Sequence, residues 1–199
     1  MSLRERKKAE TRQRISDQGS LLFYERGFDN VTISEIAEAA DVSKVTVFNY
    51  FPRKEDIFLD RVPELIDILT GTIRERPAGE TVLGALRRML LGHVATGHPL
   101  AGIEDHYRYF WRVVLDSPAL RARAREVADE VEAVLAALFS ESGEDHDPRL
   151  AAAFVVAAFR STYQATAARM LAGESAADVH DDHVAAVNRA FDALERAFL

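Results

Sequence analysis

Apolar residues recur at intervals of three and four through almost every long segment of this chain, and nowhere does apolar alternate with polar over more than about five residues. That period belongs to the α-helix, so the fold is expected to be all-α, with about nine helices. A first helix is expected from Leu3 to Arg26, with Ile15, Gly19, Leu22 and Phe23 on one stripe and Gly27 placed for a left-handed C-terminal cap. Thr32 and Glu35 form the pattern of a capping box ahead of the short apolar face Ile36, Ala37 and Ala40. Ser43 caps a third, very short helix that stops at Phe51, before Pro52. From Arg53 to Ile73 the pattern continues through Pro63, so this helix either bends near Asp60 or is two helices. Further helices are expected over 80–96, 103–115, 117–139 and 147–171, and from Asp178 or Asp181 to the end. The breaks fall at Arg76-Pro77-Ala78-Gly79, at His98 to Gly102, and in the polar loop Ser140 to Asp147.

Composition narrows the function classes. The 199 residues contain no cysteine, which excludes a disulfide scaffold, a thiolate zinc site and a cysteine nucleophile. No apolar run approaches the roughly 20 residues of a membrane helix. The basic start lacks the apolar stretch of a secretory signal, so a cytoplasmic location is expected. Charge is uneven: residues 1–14 hold six basic side chains against two acidic, whereas residues 61–199 hold 15 against 21. A polyanion would be met at the N-terminal end and repelled by the body.

Two short helices joined by a tight turn between Thr32 and Phe51 have the layout of a helix-turn-helix. At 100° per residue from Ser43, Val47 and Phe51 point one way. Val45, Thr46, Phe48 and Asn49 point largely the other. An outward cluster of that composition is explained by a DNA major groove, where apolar groups meet thymine methyls and Asn or Thr reach base edges or phosphates, with Lys44 adding charge. The competing explanation is that Val45 and Phe48 pack under another helix of the same chain.

The aromatic-Gly-aromatic end of the first helix, Thr32 and Ile36-Ala37, Val42-Ser43-Lys44, and Tyr50-Phe51-Pro52 followed by Lys54-Glu55 give residues 11–57 a resemblance to the N-terminal domain of the TetR family of bacterial transcriptional repressors. It implies a DNA-binding domain over residues 1–52 and a larger helical domain for effector binding and dimerisation over 53–199. It further implies that Lys44, Val45, Thr46 and Phe48 lie against base edges. Thr32, Ser43, Asn49, Tyr50 and Lys54 would hold phosphates, with Thr11 and Arg12 near the DNA backbone. Three features depart from the family pattern: Asp41 stands where Gly is usual, Val45 where a small or polar residue is common, and Gln18-Gly19 replaces a pair of small apolar residues.

In the body, Val184, Val187, Phe191, Leu194 and Phe198 form a stripe on the last helix, beside a second one of Ala186, Ala190, Ala193 and Ala197. The helix before it, with Phe154, Val155, Val156, Phe159, Tyr163 and Met170, is apolar almost all round. Both patterns fit an intramolecular core. They also fit a twofold homodimer through a four-helix bundle, with Phe154, Val184, Val187, Phe191, Leu194 and Phe198 at the interface. The resemblance implies a small-molecule effector, for which Met89, His93, His106, Tyr107, Phe110, Trp111, Phe159, Arg160 and Tyr163 are the candidate contacts, with His98 and Arg112 nearby. Aromatics at this spacing also serve as plain core.

The chain has no Gly-rich phosphate loop, no HExxH and no nucleophile elbow, so neither catalysis nor a cofactor is expected. His180-Asp181-Asp182-His183 reads as a polar helix start rather than a metal site. The reading is therefore a ligand-responsive repressor on a near-palindromic operator. The alternative is a helical small-molecule carrier whose helix-turn-helix is vestigial.

Overall fold

The computed structural model describes residues 2–144 and 147–198. Ten α-helices and no strand are found among them. These are α1 (Leu3–Arg26), α2 (Ile33–Ala39), α3 (Lys44–Tyr50), α4 (Lys54–Phe58), α5 (Val62–Arg74), α6 (Val82–Ala95), α7 (Tyr107–Asp116), α8 (Pro118–Ser142), α9 (Pro148–Leu171) and α10 (Ala176–Phe198), with single 3-10 turns at Phe28–Asn30 and Pro99–Ala101. Of the two readings of the Pro63 segment, the molecule takes the second. The helix stops at Phe58, and Pro63 falls in the first turn of α5, where its missing N–H has no partner to lose. Helix α7 starts later than expected, since Gly102 turns left-handed at φ 64°; Ile103 is still buried, outside any helix. Of the expected loop 140–147, α8 takes Ser140 to Ser142, and residues 145 and 146 lie outside the described ones.

The chain packs as two units. The first runs to Arg61 and takes in Val113–Arg123, so it reaches beyond residues 1–52 to include α4 and the corner between α7 and α8. Its core joins Ile15, Phe23, Ile36, Val47, Phe51, Ile57 and, from α8, Leu120. Gly19 has a packing reason: a Cβ there would sit 2.5 Å from Ile57 Cγ2. The five-residue helix α4 (Lys54–Phe58) thus closes on α1 without a Cβ in the way.

The second unit comprises Val62–Arg112 and the chain from Ala124 onward. In it α10 packs along α9 and against α6. Its interior divides into a larger cluster around Leu86, Leu135, Phe139, Val155, Val187 and Phe191 and a smaller one around Val94, Ile103, Tyr163, Met170 and Val179.

Candidate nucleic-acid interface and effector site

The reading edge is assembled by caps. Thr32 Oγ1 accepts from Glu35 N–H at 3.3 Å, and the Glu35 carboxylate accepts from Thr32 N–H at 2.9 Å, closing the box that starts α2. Those bonds from Thr32, backbone first and then hydroxyl, hold the Glu35 carboxyl below its ordinary range. The turn after α2 needs one left-handed residue, and Asp41 supplies it at φ 50°. Arg14 Nε donates to Ala40 O at 2.8 Å and ties the same turn to α1. Ser43 Oγ then accepts from Thr46 N–H at 3.0 Å to start α3.

On α3, Val47 and Phe51 are buried, while Val45 is 69% and Phe48 50% exposed. Lys44 and Asn49 are exposed beside them, and Thr46 and Tyr50 are half-buried. Packing of Val45 and Phe48 under another helix of the chain is therefore ruled out. The outward edge is open to solvent.

Several expected phosphate contacts have work inside the unit. The Lys54 ammonium donates to the carbonyls of Phe28 (2.8 Å) and Val31 (3.0 Å) and lies 4.2 Å from the Phe28 ring centroid. Two of its three protons are thus committed, which makes it first a clamp on the turn before α2. Arg12 donates to Asp60 O at 2.7 Å and lies over the Phe51 ring at 4.7 Å, so its guanidinium turns inward rather than toward a DNA backbone. Thr11, half-buried, donates back to Lys7 O at 2.9 Å. The hydroxyls of Thr32 and Ser43 serve as N-caps on an exposed surface, where their oxygens remain reachable. The cations Arg4, Arg6, Lys7 and Lys8 are exposed along the start of α1.

The candidate effector contacts are scattered. Met89 is buried in the larger cluster, and Tyr163 in the smaller one. Phe159 stacks on Tyr163, with ring centroids 4.0 Å apart. Trp111 is half-buried and donates from Nε1 to Gly102 O at 2.8 Å; Tyr107 and Phe110 are half-buried on the same helix. His93 stacks on His98 at 4.1 Å, and burial first, then the neighbouring imidazole, lowers its pKa against the opposing pull of Glu64. His106, Arg112 and Arg160 are exposed. An open groove of about 940 Å³ lies between α8 and the start of α9, lined by Asp129, Glu132, Ala136, Ser140, Pro148 and Arg149 among others. It contains none of the expected contacts.

The expected dimer stripe needs correction. Val187, Phe191 and Leu194 are buried in the unit's own larger cluster, Phe198 packs against that cluster, and Val184 packs against the smaller one. Phe154 is 43% exposed. The reason is the breadth of the α10 face: its large side chains fill the intramolecular core, and the Ala stripe is what remains outside. His183, expected in a polar helix start, is instead 1% exposed and bonded through Nδ1 to Thr166 Oγ1 at 2.8 Å. Its spacing was the available signal, because 183, 187 and 191 fall on one stripe. His180 instead meets Asp181 at the surface, and among the described residues no group of three His, Asp or Glu is placed to hold a metal.

Residues 15–60 match the family described as bacterial regulatory proteins, tetR family. The HTH-type transcriptional regulator TcmR of Streptomyces glaucescens is 31% identical over 164 residues, covering 80% of this chain and 72% of that protein. Among solved structures, the fold is similar to the TetR family repressor FadR of Thermus thermophilus in complex with lauroyl-CoA (TM-score 0.58, 24% identity, 94% of this chain and 95% of that one). It is also similar to FadR of Bacillus subtilis in complex with stearoyl-CoA (TM-score 0.53, 22% identity, 92% and 96%).

Proposed function

Because the chain belongs to the tetR family of bacterial regulatory proteins, we propose that it is a ligand-responsive repressor that binds a near-palindromic operator as a homodimer in the cytoplasm, without catalysing a reaction. The observation that carries this reading is the outer edge of α3: Val45 and Phe48 stand exposed between Lys44, Thr46 and Asn49, although Val47 and Phe51 on the opposite side are buried. A solvated surface gains nothing from two large apolar groups, whereas a major groove offers thymine methyls to both.

A single reading helix contacts few base pairs, so two copies on one duplex supply useful specificity. The face available for pairing is small and apolar: Leu150, Phe154 and Ala157 on α9 and Ala186, Ala190, Ala193 and Ala197 on α10 all retain solvent contact. Alanines let helix backbones approach closely, the geometry a four-helix bundle requires. Ligand response follows from chain continuity. Helices α7 and α8 each have one part in the first packing unit and one in the second. An effector that favours one arrangement of the second unit therefore shifts the population of reading-competent conformers through differential affinity.

The test is a mobility shift with the duplex flanking the protein's own gene, repeated from 50 to 200 mM salt. A steep salt slope, with loss of binding in Val45→Asp, is the expected result. A slope near zero would favour the carrier reading.

A further inference from the structure

The charges of α10 divide into two groups. Asp192 and Glu195 meet Arg87 of α6, and Asp182 meets Arg169 of α9, so these acids have partners in their own subunit. Arg189 and Arg196 form no ion pair among the described residues, and both are exposed. They stand about 20° apart at 100° per residue, on the side of the helix away from buried Val187 and Phe191 and next to exposed Ala193.

Unpaired charge of the opposite sign lies beyond α9. The groove between α8 and the start of α9 carries three carboxylates, Asp129, Glu132 and Asp147, against one cation, Arg149. Asp147 is engaged as the cap of α9, accepting from the N–H groups of Arg149 at 2.9 Å and Leu150 at 3.2 Å. Asp129 and Glu132 form no ion pair among the described residues. Beside them the groove is floored by alanines of α8, Ala133 and Ala136 among them, which let another helix approach closely.

Helix α9 separates the two sets of charges. Phe154 packs on Phe198 of α10, ring centroids 5.7 Å apart, whereas Arg149, about 140° round α9, lines the groove toward α8. Both copies of a dimer must bring a first unit to one duplex, and α8 starts in that unit, so the twofold axis runs along these helices rather than across them. Such an axis exchanges left and right and keeps level. A second copy paired through exposed Leu150, Phe154 and Ala157 therefore lays its α10 over this α9, beside the groove. The levels agree as well. His183 stands against Tyr163 and Phe198 against Phe154, which sets Arg189 level with Arg160 of α9. Counted from the end where α8 hands over to α9, Arg160 and Asp129 each stand about 20 Å along their helices. Arg196, two turns further, falls over the alanine floor.

We propose that the α8–α9 groove receives α10 of a second copy of this chain, with Arg189 of the partner subunit paired to Asp129 and Glu132. By symmetry each subunit gives one arginine and one groove, so the contact is made twice. The proposal rests on the homodimer reading and adds a charged contact, outside the apolar α9–α10 face, that selects a like chain as mate.

Sedimentation equilibrium is run on the full chain, on Arg189→Glu, on the double variant Asp129→Lys, Glu132→Lys, and on an equimolar mixture of the two variants. The parent chain is expected to be a dimer. Each variant alone sets like charges against one another in both contacts and is expected to raise the dimer dissociation constant at least about tenfold. In the mixed pair both contacts join opposite charges again. The mixture is thus expected to dimerise at least about tenfold more tightly than either variant alone, a gain that shrinks at high salt. Recovery on mixing also shows that both variants are folded, which circular dichroism melts check separately.

A parent dimer that both variants leave unchanged would overturn the proposal, give the groove to something other than a second copy, and leave pairing through α9 and α10 standing. Weakened variants that do not recover on mixing would overturn it too, because the arginine and the carboxylates then do not meet across the dimer. A monomeric parent chain would remove the homodimer reading itself, and this contact with it.

Discussion

Arg123 donates from Nε to Asp56 Oδ1 across 2.7 Å, with only 13% and 19% of the two side chains exposed. Arg123 stands early in α8, the helix that goes on into the second unit, and Asp56 stands on α4, just past the reading helix. The same carboxylate accepts from Arg53 N–H at 3.2 Å through its other oxygen, so the pair also fixes the start of α4. Two neighbours strengthen the anchor: Ser117 Oγ donates to Asp29 Oδ1 at 3.3 Å, and Leu120 is fully buried in the first unit's core. The corner where α7 turns into α8 is thereby built into the unit that reads DNA.

Removing Arg123 strands a mostly buried carboxylate. Arg123→Ala is expected to destabilise the protein by about 2 kcal/mol, read from urea unfolding, and to weaken effector-driven release from the operator more than it weakens operator binding itself. A double-mutant cycle with Asp56→Asn should give a coupling of at least about 1 kcal/mol. Additive single effects would mean that the ion pair is incidental.

The outer and inner sides of α3 should separate cleanly in mutation. Phe48→Ala, at an exposed position, is expected to change stability by no more than about 0.5 kcal/mol and to lower operator affinity at least about tenfold, the loss of one good base-edge contact. Val47→Ala empties a fully buried site and is expected to lower stability by about 2 kcal/mol. Thermal melts and mobility shifts on both variants decide it. Equal operator affinity for Phe48→Ala and the parent chain would refute a groove contact at that residue.

Much of the small unit could be read from the order of residues, because its determinants are local. Thr32, Glu35 and Ser43 are caps whose partners lie three residues away, and the burial of Val47 and Phe51 against exposed Val45 and Phe48 follows from helical phase alone. Lys54 and Arg12 were legible as cations but not as clamps, since their acceptors lie 23 to 48 residues away along the chain. In the body, phase identified the stripe Val187, Phe191, Leu194 but not what it faces. A helix with a wide apolar face can turn any part of it toward its own core, and here the large side chains go inward and the alanines outward. His183 was hidden by its polar neighbours Asp181 and Asp182, although it belongs to the buried stripe.

Gly19 tests close packing between α1 and α4. Alanine normally stabilises a helix interior by about 1 kcal/mol over glycine, but a Cβ here would meet Ile57 Cγ2 at 2.5 Å inside a filled core. Gly19→Ala is therefore expected to be destabilising by about 1 to 2 kcal/mol net. Ile57→Leu, which removes the branch at Cβ, is expected to recover part of that loss in the double variant. A melting temperature for Gly19→Ala above that of the parent would show that Ile57 yields without strain.

His183 predicts how stability depends on pH. Its imidazole titrates near 6.5 when unfolded and at about 4 in the fold, where burial, and then the nearby His180, oppose the charge. Between those values the unfolded chain binds a proton that the native one does not, so unfolding is favoured as pH falls. Stability is full above about 6.5, drops by about 2 kcal/mol on reaching pH 5 and levels off below 4. His93, lowered for the same first reason, adds in the same direction. The carboxyls of Glu35 and Glu80 lie below their ordinary 4.5, so their contribution begins to be lost only near pH 4.5 and below, at the low end of this window. Urea midpoints between pH 4 and 7.5 should thus slope by up to about one more proton in the parent chain than in His183→Leu, which keeps the volume and removes the titration. Identical slopes would mean that His183 takes its proton without leaving the folded interior.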